Sequence, residues 1–119
     1  TQTLRDIMPM DVAKELTFTG RILNGEQAKE VGLVTRVADD PFAEAMALAE
    51  EIAGKNPDAV RAGKALYEQA WHADARTGLE LEAALQAQLI GTANQIEAVK
   101  ANFEKRAPAF QPAIRTEQG

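Results

Sequence analysis

Apolar residues recur at helical spacing along most of this chain, and glycine, proline and asparagine cut the pattern into segments. Leu4 to Met8 is a short apolar patch interrupted by Arg5 and Asp6. Val12, Ala13, Leu16 and Phe18 then predict a helix from Pro9 to about Thr19. Proline suits its first turn, where the missing N–H has no partner to lose, and Gly20 is the expected stop. Asn24-Gly25 signals a turn, Glu26 to Val31 makes two turns of helix, and Gly32 ends them. Leu33-Val34-Thr35-Arg36-Val37 alternates and is rich in β-branched residues, so a short strand is expected over 33–37. It would have no partner within the chain, and a lone strand leaves its backbone groups unpaired.

Beyond Asp39 the pattern is helix after helix. Asp40-Pro41 and Asn56-Pro57 each read as an N-cap followed by proline at the first helical position. Phe42, Ala45, Met46, Ala49, Ile52 and Ala53 mark one face of the first of these helices, up to Gly54. Val60, Gly63, Tyr67, Ala70 and Trp71 line the second, which should end near His72. After a loop over 73–76, Thr77-x-x-Glu80 reads as a capping box ahead of the stripe Leu81, Leu85 and Leu89, and Gly91 closes the segment. The last helix begins near Asn94, with Glu97 three positions on. Ile96, Val99 and Phe103 are expected to face inward, and Pro108 and Pro112 to end the helix. The fold class is mainly α, multi-helix, with one short strand near 33–37 and a loose tail over 111–119. Alanines spread through the helices favour this and allow close helix–helix approach.

Composition narrows the picture. A length of 119 residues allows one domain and is below the usual size of a complete enzyme. Thr1 rather than methionine stands first, so a piece of a longer chain is expected. A hydrophobic fraction of 45% and a charged fraction of 26% are those of an ordinary globular protein. No apolar run approaches the roughly 18 residues of a membrane span, and nothing at the N-terminus resembles a signal peptide. With no cysteine, disulfides and thiolate chemistry are excluded, which fits a reducing, cytoplasmic setting. A net charge of −5 argues against nucleic acid as the main partner.

Candidate chemistry is sparse. His72, the one histidine, sits at a helix end beside Trp71, where a cap or surface role outweighs that of a base or metal ligand. Glu80 and Glu82 fall on different helix faces and do not form an acid–base pair. Hydrolase, zinc-protease and phosphate-loop motifs are absent, and Gly20, Gly25 and Gly32 are too widely spaced for a dinucleotide fingerprint. No catalytic residue and no metal ligand is assigned. One binding candidate remains, a diffuse cationic patch of Lys100, Lys105 and Arg106 on or beside the last helix. Cations there also favour the helix dipole, by roughly 0.3–1 kcal/mol each. Composition alone favours the dipole explanation over a site for a phosphate-bearing ligand.

Three separated motifs resemble a known family. L-T-F-T-G-R-I-L-N-G-E-Q-A-K-E-V-G-L-V-T-R-V, residues 16–37, resembles the crotonase (enoyl-CoA hydratase/isomerase) superfamily segment L-T-G-x-x-I-x-A-x-E-A-x-x-x-G-L-V-x-x-V. Thr19, Gly20, Ile22, Gln27-Ala28, Gly32, Leu33, Val34 and Val37 fill its places, with Gln27 where the family usually has Glu. A-E-E-I-A-G-K-N-P-D-A-V-R-A-G-K, residues 49–64, resembles the family's helix, Asn-Pro junction and following lysine. E-A-V-K-A-N-F-E-K-R-A-P-A-F, residues 97–110, resembles its terminal E-G-x-x-A-F-x-E-K-R-x-P-x-F, and Thr1-Gln2-Thr3-Leu4 its T-Q-x-L.

The resemblance implies the C-terminal helical part of the ClpP/crotonase-like fold. In the family, the oxyanion-hole N–H groups and catalytic acids lie N-terminal to the T-Q-x-L position. Residues 1–38 would then be a joint to a catalytic core absent from this sequence, and 39–110 a helical oligomerisation domain, in trimers or hexamers of the complete protein. The implied function is water addition to, or double-bond migration in, enoyl-CoA thioesters, with this chain inactive alone. Coenzyme A would enter as part of the substrate, with no tightly bound cofactor. The family's terminal lysine, and a phenylalanine three residues before it, approach the CoA of a neighbouring subunit. Lys105 matches that lysine; Asn102 takes the phenylalanine's place, with Phe103 shifted by one, and Ala98 replaces a glycine. Lys105 and Phe103 are the implied CoA-binding residues. The alternative is a self-associating helical module without catalysis.

Overall fold

The computed structural model describes residues 1–113. A 3-10 turn at Leu4–Asp6 precedes six helices: α1 (Met10–Thr19), α2 (Gly25–Glu30), α3 (Pro41–Ala53), α4 (Pro57–Ala70), α5 (Ala75–Leu89) and α6 (Ala93–Glu104). The mainly helical expectation holds among these residues. The length allows one domain, yet the chain divides into two compact units, Thr1–Met46 and Ala47–Gly119, the division lying within α3.

In the first unit the 3-10 turn closes through the Arg5 N–H on the Thr1 carbonyl (3.2 Å) and the Met8 N–H on that of Leu4 (3.1 Å). Met8 is thereby buried. α1 ends on Gly20 in the left-handed region (φ 60°), whose N–H returns to the Leu16 carbonyl. The capping box lies at the start of α2: Asn24 Oδ1 accepts the Gln27 N–H (2.9 Å) while Gln27 Oε1 accepts the Asn24 N–H (3.0 Å). α2 ends in a Schellman turn, with Leu33 N–H on Ala28 O and Gly32 N–H on Lys29 O. Gly32 has φ 84°, and a Cβ there would lie 2.4 Å from the Ile7 carbonyl oxygen, so glycine is demanded twice over.

The expected strand over 33–37 does not form. No strand occurs among the described residues, and 33–37 runs as an irregular connector with Leu33, Val34 and Val37 exposed. The cause is the missing ladder: with no second strand alongside, β-branched composition cannot hold a sheet. Side chains hold the connector instead. Val37 packs on Gly25, where an added Cβ would sit 3.1 Å from its Cγ1, and Arg36 pairs with Glu44 at 2.9 Å.

In the second unit Asn56 Oδ1 accepts the Asp58 and Ala59 N–H groups and starts α4 at Pro57. α4 and α5 pack together across the link 71–74, and small residues permit it: a Cβ on Gly78 would meet that of Ala70 at 3.7 Å. α5 begins earlier than expected. Asp74, not Thr77, is the cap, accepting from the Arg76 and Thr77 N–H groups, while the Thr77 hydroxyl donates to Asp74 Oδ2 (2.7 Å). A carboxylate that takes three donors outcompetes a hydroxyl three residues later, and these bonds hold its pKa below 3.8. α6 begins at Ala93 on the cap Thr92. Its inward residues are Asn94 and Ala101, 4% and 2% exposed, and not the stripe Ile96, Val99 and Phe103, which faces outward. α6 meets α4 where Asn94 Nδ2 donates to Asp58 Oδ2, and the small Ala98 and Ala101 lie on the same face of the helix as Asn94. Many large apolar side chains remain exposed, including Met10, Phe18, Ile22, Phe42 and Trp71. No helix is long and apolar enough to cross a membrane among the described residues.

Candidate functional site

The end of α6 is the most elaborated polar region of the chain. Lys105 is the one non-glycine residue at positive φ (54°) among the described residues. It closes a Schellman turn, with its own N–H on Asn102 O and the Arg106 N–H on Ala101 O. Arg106 then turns back along the helix. Its Nη1 and Nη2 donate to Glu97 Oε1 and Oε2 (2.5 and 3.0 Å), and its Nε donates to Glu104 Oε2 (2.6 Å). Glu97 also accepts the Ala109 N–H at 2.7 Å. The Arg106 guanidinium, and after it the Ala109 N–H, hold the Glu97 carboxyl down at about 2, and the bonds to Glu97 and then Glu104 raise Arg106.

A second clamp stands one turn earlier. Buried Asn94 accepts the Gln111 N–H on Oδ1 (2.8 Å) and donates through Nδ2 to the Gln111 carbonyl (3.1 Å) and to Asp58 Oδ2 (2.8 Å). One amide thus ties α6 to α4 and to the chain beyond Arg106. Gln111, expected in a loose tail, is fixed; residues 114–119 of that tail lie outside the described residues. A cavity of about 350 Å³ opens between Gly54–Asn56 and α6, lined also by Arg106, Pro108 and Phe110.

The cationic patch separates into unlike parts. Lys100 lies 3.9 Å from Glu104, and Arg106 is committed to two carboxylates. No carboxylate lies within ion-pair distance of Lys105 among the described residues. Phe103, 80% exposed, stands on the α6 surface two residues before it. Glu80 pairs with Arg76 (3.4 Å), and no group of three or more potential metal ligands occurs among the described residues. The arrangement can present one ammonium to an anion, and among the described residues it assembles no nucleophile with a base.

The family model for enoyl-CoA hydratase/isomerase matches residues 1–113. The chain belongs to the enoyl-CoA hydratase/isomerase family. It is 40% identical over 116 residues to enoyl-CoA hydratase domain-containing protein 2, mitochondrial, of Mus musculus, covering 92% of this chain and 39% of that protein. It is 38% identical over 117 residues to methylglutaconyl-CoA hydratase, mitochondrial, of the same organism, covering 93% and 37%. An enoyl-CoA hydratase structure from Bacillus anthracis superposes with a TM-score of 0.84 at 35% identity, over 92% of this chain and 43% of that one. The chain therefore spans well under half the length of these relatives.

Within this chain, Glu97, Lys105 and Arg106 all fall in the terminal motif, but the motif does not say which of them pair. Asn94 was legible only as a helix start. The signal for its role was its place on the Ala98–Ala101 face, where a polar residue among small ones must find partners.

Proposed function

We propose that this chain is the helical, oligomer-forming part of an enoyl-CoA hydratase or isomerase, and that Lys105 contributes to its coenzyme A site. The observation that carries the proposal is Lys105 itself. It occupies the motif's lysine position, beyond the helix end, while its two cationic neighbours in the patch are paired with carboxylates. An ammonium on a flexible stem suits a phosphate as a point charge. Phe103, exposed on the same stretch of α6, would lie against the ligand as an apolar surface. Water addition to an enoyl thioester, or migration of its double bond, needs hydrogen-bond donors at the thioester oxygen and acids or bases at the adjacent carbons. In this proposal those groups come from outside residues 1–119, and the chain supplies assembly and one wall of the CoA site.

A second reading is favoured by the exposed apolar side chains of both units: a helical module that self-associates without catalysis. Hydratase assay of the purified chain on a short enoyl-CoA, joined to size exclusion with light scattering, tests both. The expected result is no turnover with association above the monomer mass. Turnover by the chain would overturn the assignment of chemistry elsewhere, and a folded, strictly monomeric chain would overturn the oligomer-forming role.

A further inference from the structure

We propose that Arg106 is a positioning residue for Lys105: by holding Glu97 and Glu104 together it fixes the turn at Lys105 and leaves that ammonium unopposed for a phosphate. The inference rests on the coenzyme A reading of Lys105 given above.

Three observations converge on it. Lys105 adopts a left-handed conformation that costs a side-chain-bearing residue energy and persists only where the surroundings impose it. The neighbour that imposes it is Arg106, whose N–H closes the Schellman turn while its guanidinium is anchored on Glu97 by two N–H groups. The third observation is electrostatic. Glu104, adjacent to Lys105, lies 2.6 Å from Arg106 Nε and 3.9 Å from Lys100 Nζ. Without the guanidinium, the carboxylate of Glu104, one residue away along the chain, would be released to compete with any anionic ligand for Lys105. The planar guanidinium grips both oxygens of Glu97 while its Nε serves Glu104; a lysine ammonium at position 106 offers no such fixed fork.

The test is a coenzyme A titration of the full chain, read by the NMR signal of the Lys105 Cε methylene and, for the turn, by the Lys105 Cα shift. The unaltered chain should show a saturable shift that Lys105→Ala abolishes elsewhere on α6. Arg106→Gln should weaken binding about fivefold, the scale of one exposed charge pair, and move the Cα shift away from its left-handed value. Adding Glu104→Gln to Arg106→Gln should recover much of the affinity, because the competing carboxylate is gone. A purely structural role for Arg106 would leave the double variant as weak as the single one. Should Arg106→Gln fail to fold by circular dichroism, Arg106→Lys replaces it, with a smaller loss and the same rescue expected. Undiminished affinity in the Arg106 variant, or absence of rescue, overturns the inference and leaves the Lys105 site standing. No saturable shift at Lys105 in the unaltered chain overturns the coenzyme A reading, and the inference with it.

Discussion

Two helices of this chain end in the same hydrogen-bonded turn, and they differ at the residue that must be left-handed. α2 places Gly32 there and α6 places Lys105. Replacing Lys105 by glycine removes the Cβ–carbonyl conflict, partly offset by the larger backbone entropy lost on folding. Lys105→Gly should therefore stabilise the chain by about 0.5–1 kcal/mol in urea unfolding, whereas Lys105→Ala should not. A stability gain from deleting a side chain is the mark of a position retained for something other than folding. The glycines carry the converse prediction. Gly20 has φ 60° with open space around its missing Cβ, so Gly20→Ala should cost about 1 kcal/mol from conformation alone. Gly32→Ala adds a collision with the Ile7 backbone and should cost clearly more in the same measurement.

At the scale of elements, the junction of α6 with the segment after it depends on an ionised Glu97. Its folded pKa of about 2 lies below the ordinary 4.5, so its contribution is complete above 4.5 and is lost as pH falls through about 2. The difference in urea midpoint between the chain and its Glu97→Gln variant should be constant near neutrality, shrink below pH 4.5 and vanish near 2. Hydrogen exchange at the Ala109 amide should follow the same course. Helix number and order were legible in the sequence, because proline, glycine and Asx residues mark each boundary chemically. Errors arose where two signals competed, as with Asp74 against Thr77, or where a local pattern needed a partner, as with Leu33–Val37. The orientation of α6 was not legible. Ile96, Val99 and Phe103 make the more apolar stripe, but the face that packs is chosen by steric fit and by the Asn94 network. Of the candidate site, Lys105 and Phe103 could be named from the motif. That Lys100 and Arg106 are neutralised could not, because ion pairing depends on how the chain turns back after Glu104.

At the scale of the whole molecule, large apolar side chains stand exposed in both units among the described residues. Met8 and Ala101 are the buried apolar residues among those described, while side chains as large as Phe18 and Ile22 stand in the open. Ile22, 93% exposed, contributes little to the chain's own folding, so Ile22→Glu should change its unfolding free energy by less than about 0.5 kcal/mol. The same variant should shift the association equilibrium toward monomer in sedimentation velocity. Equal association by both proteins would mean that the first unit's apolar surface is not the one that associates.

The Asn94 clamp grips the main chain of residue 111 and ignores its side chain. Along the same stretch Glu97 takes the N–H of Ala109, while Pro108 and Pro112 have none to offer. At positions 109 and 111, what is specified is the distance along the chain from α6 more than the kind of side chain. Gln111→Ala should be silent in thermal melts. Deleting one residue between Arg106 and Gln111, or writing Gln111→Pro, should release the segment and lower the melting temperature. Across relatives of this chain, positions 107, 109 and 111 should tolerate substitution, Pro108 and Phe110 should vary less because they line the cavity beside α6, and insertion or deletion should hardly occur, a spacer measured by its length.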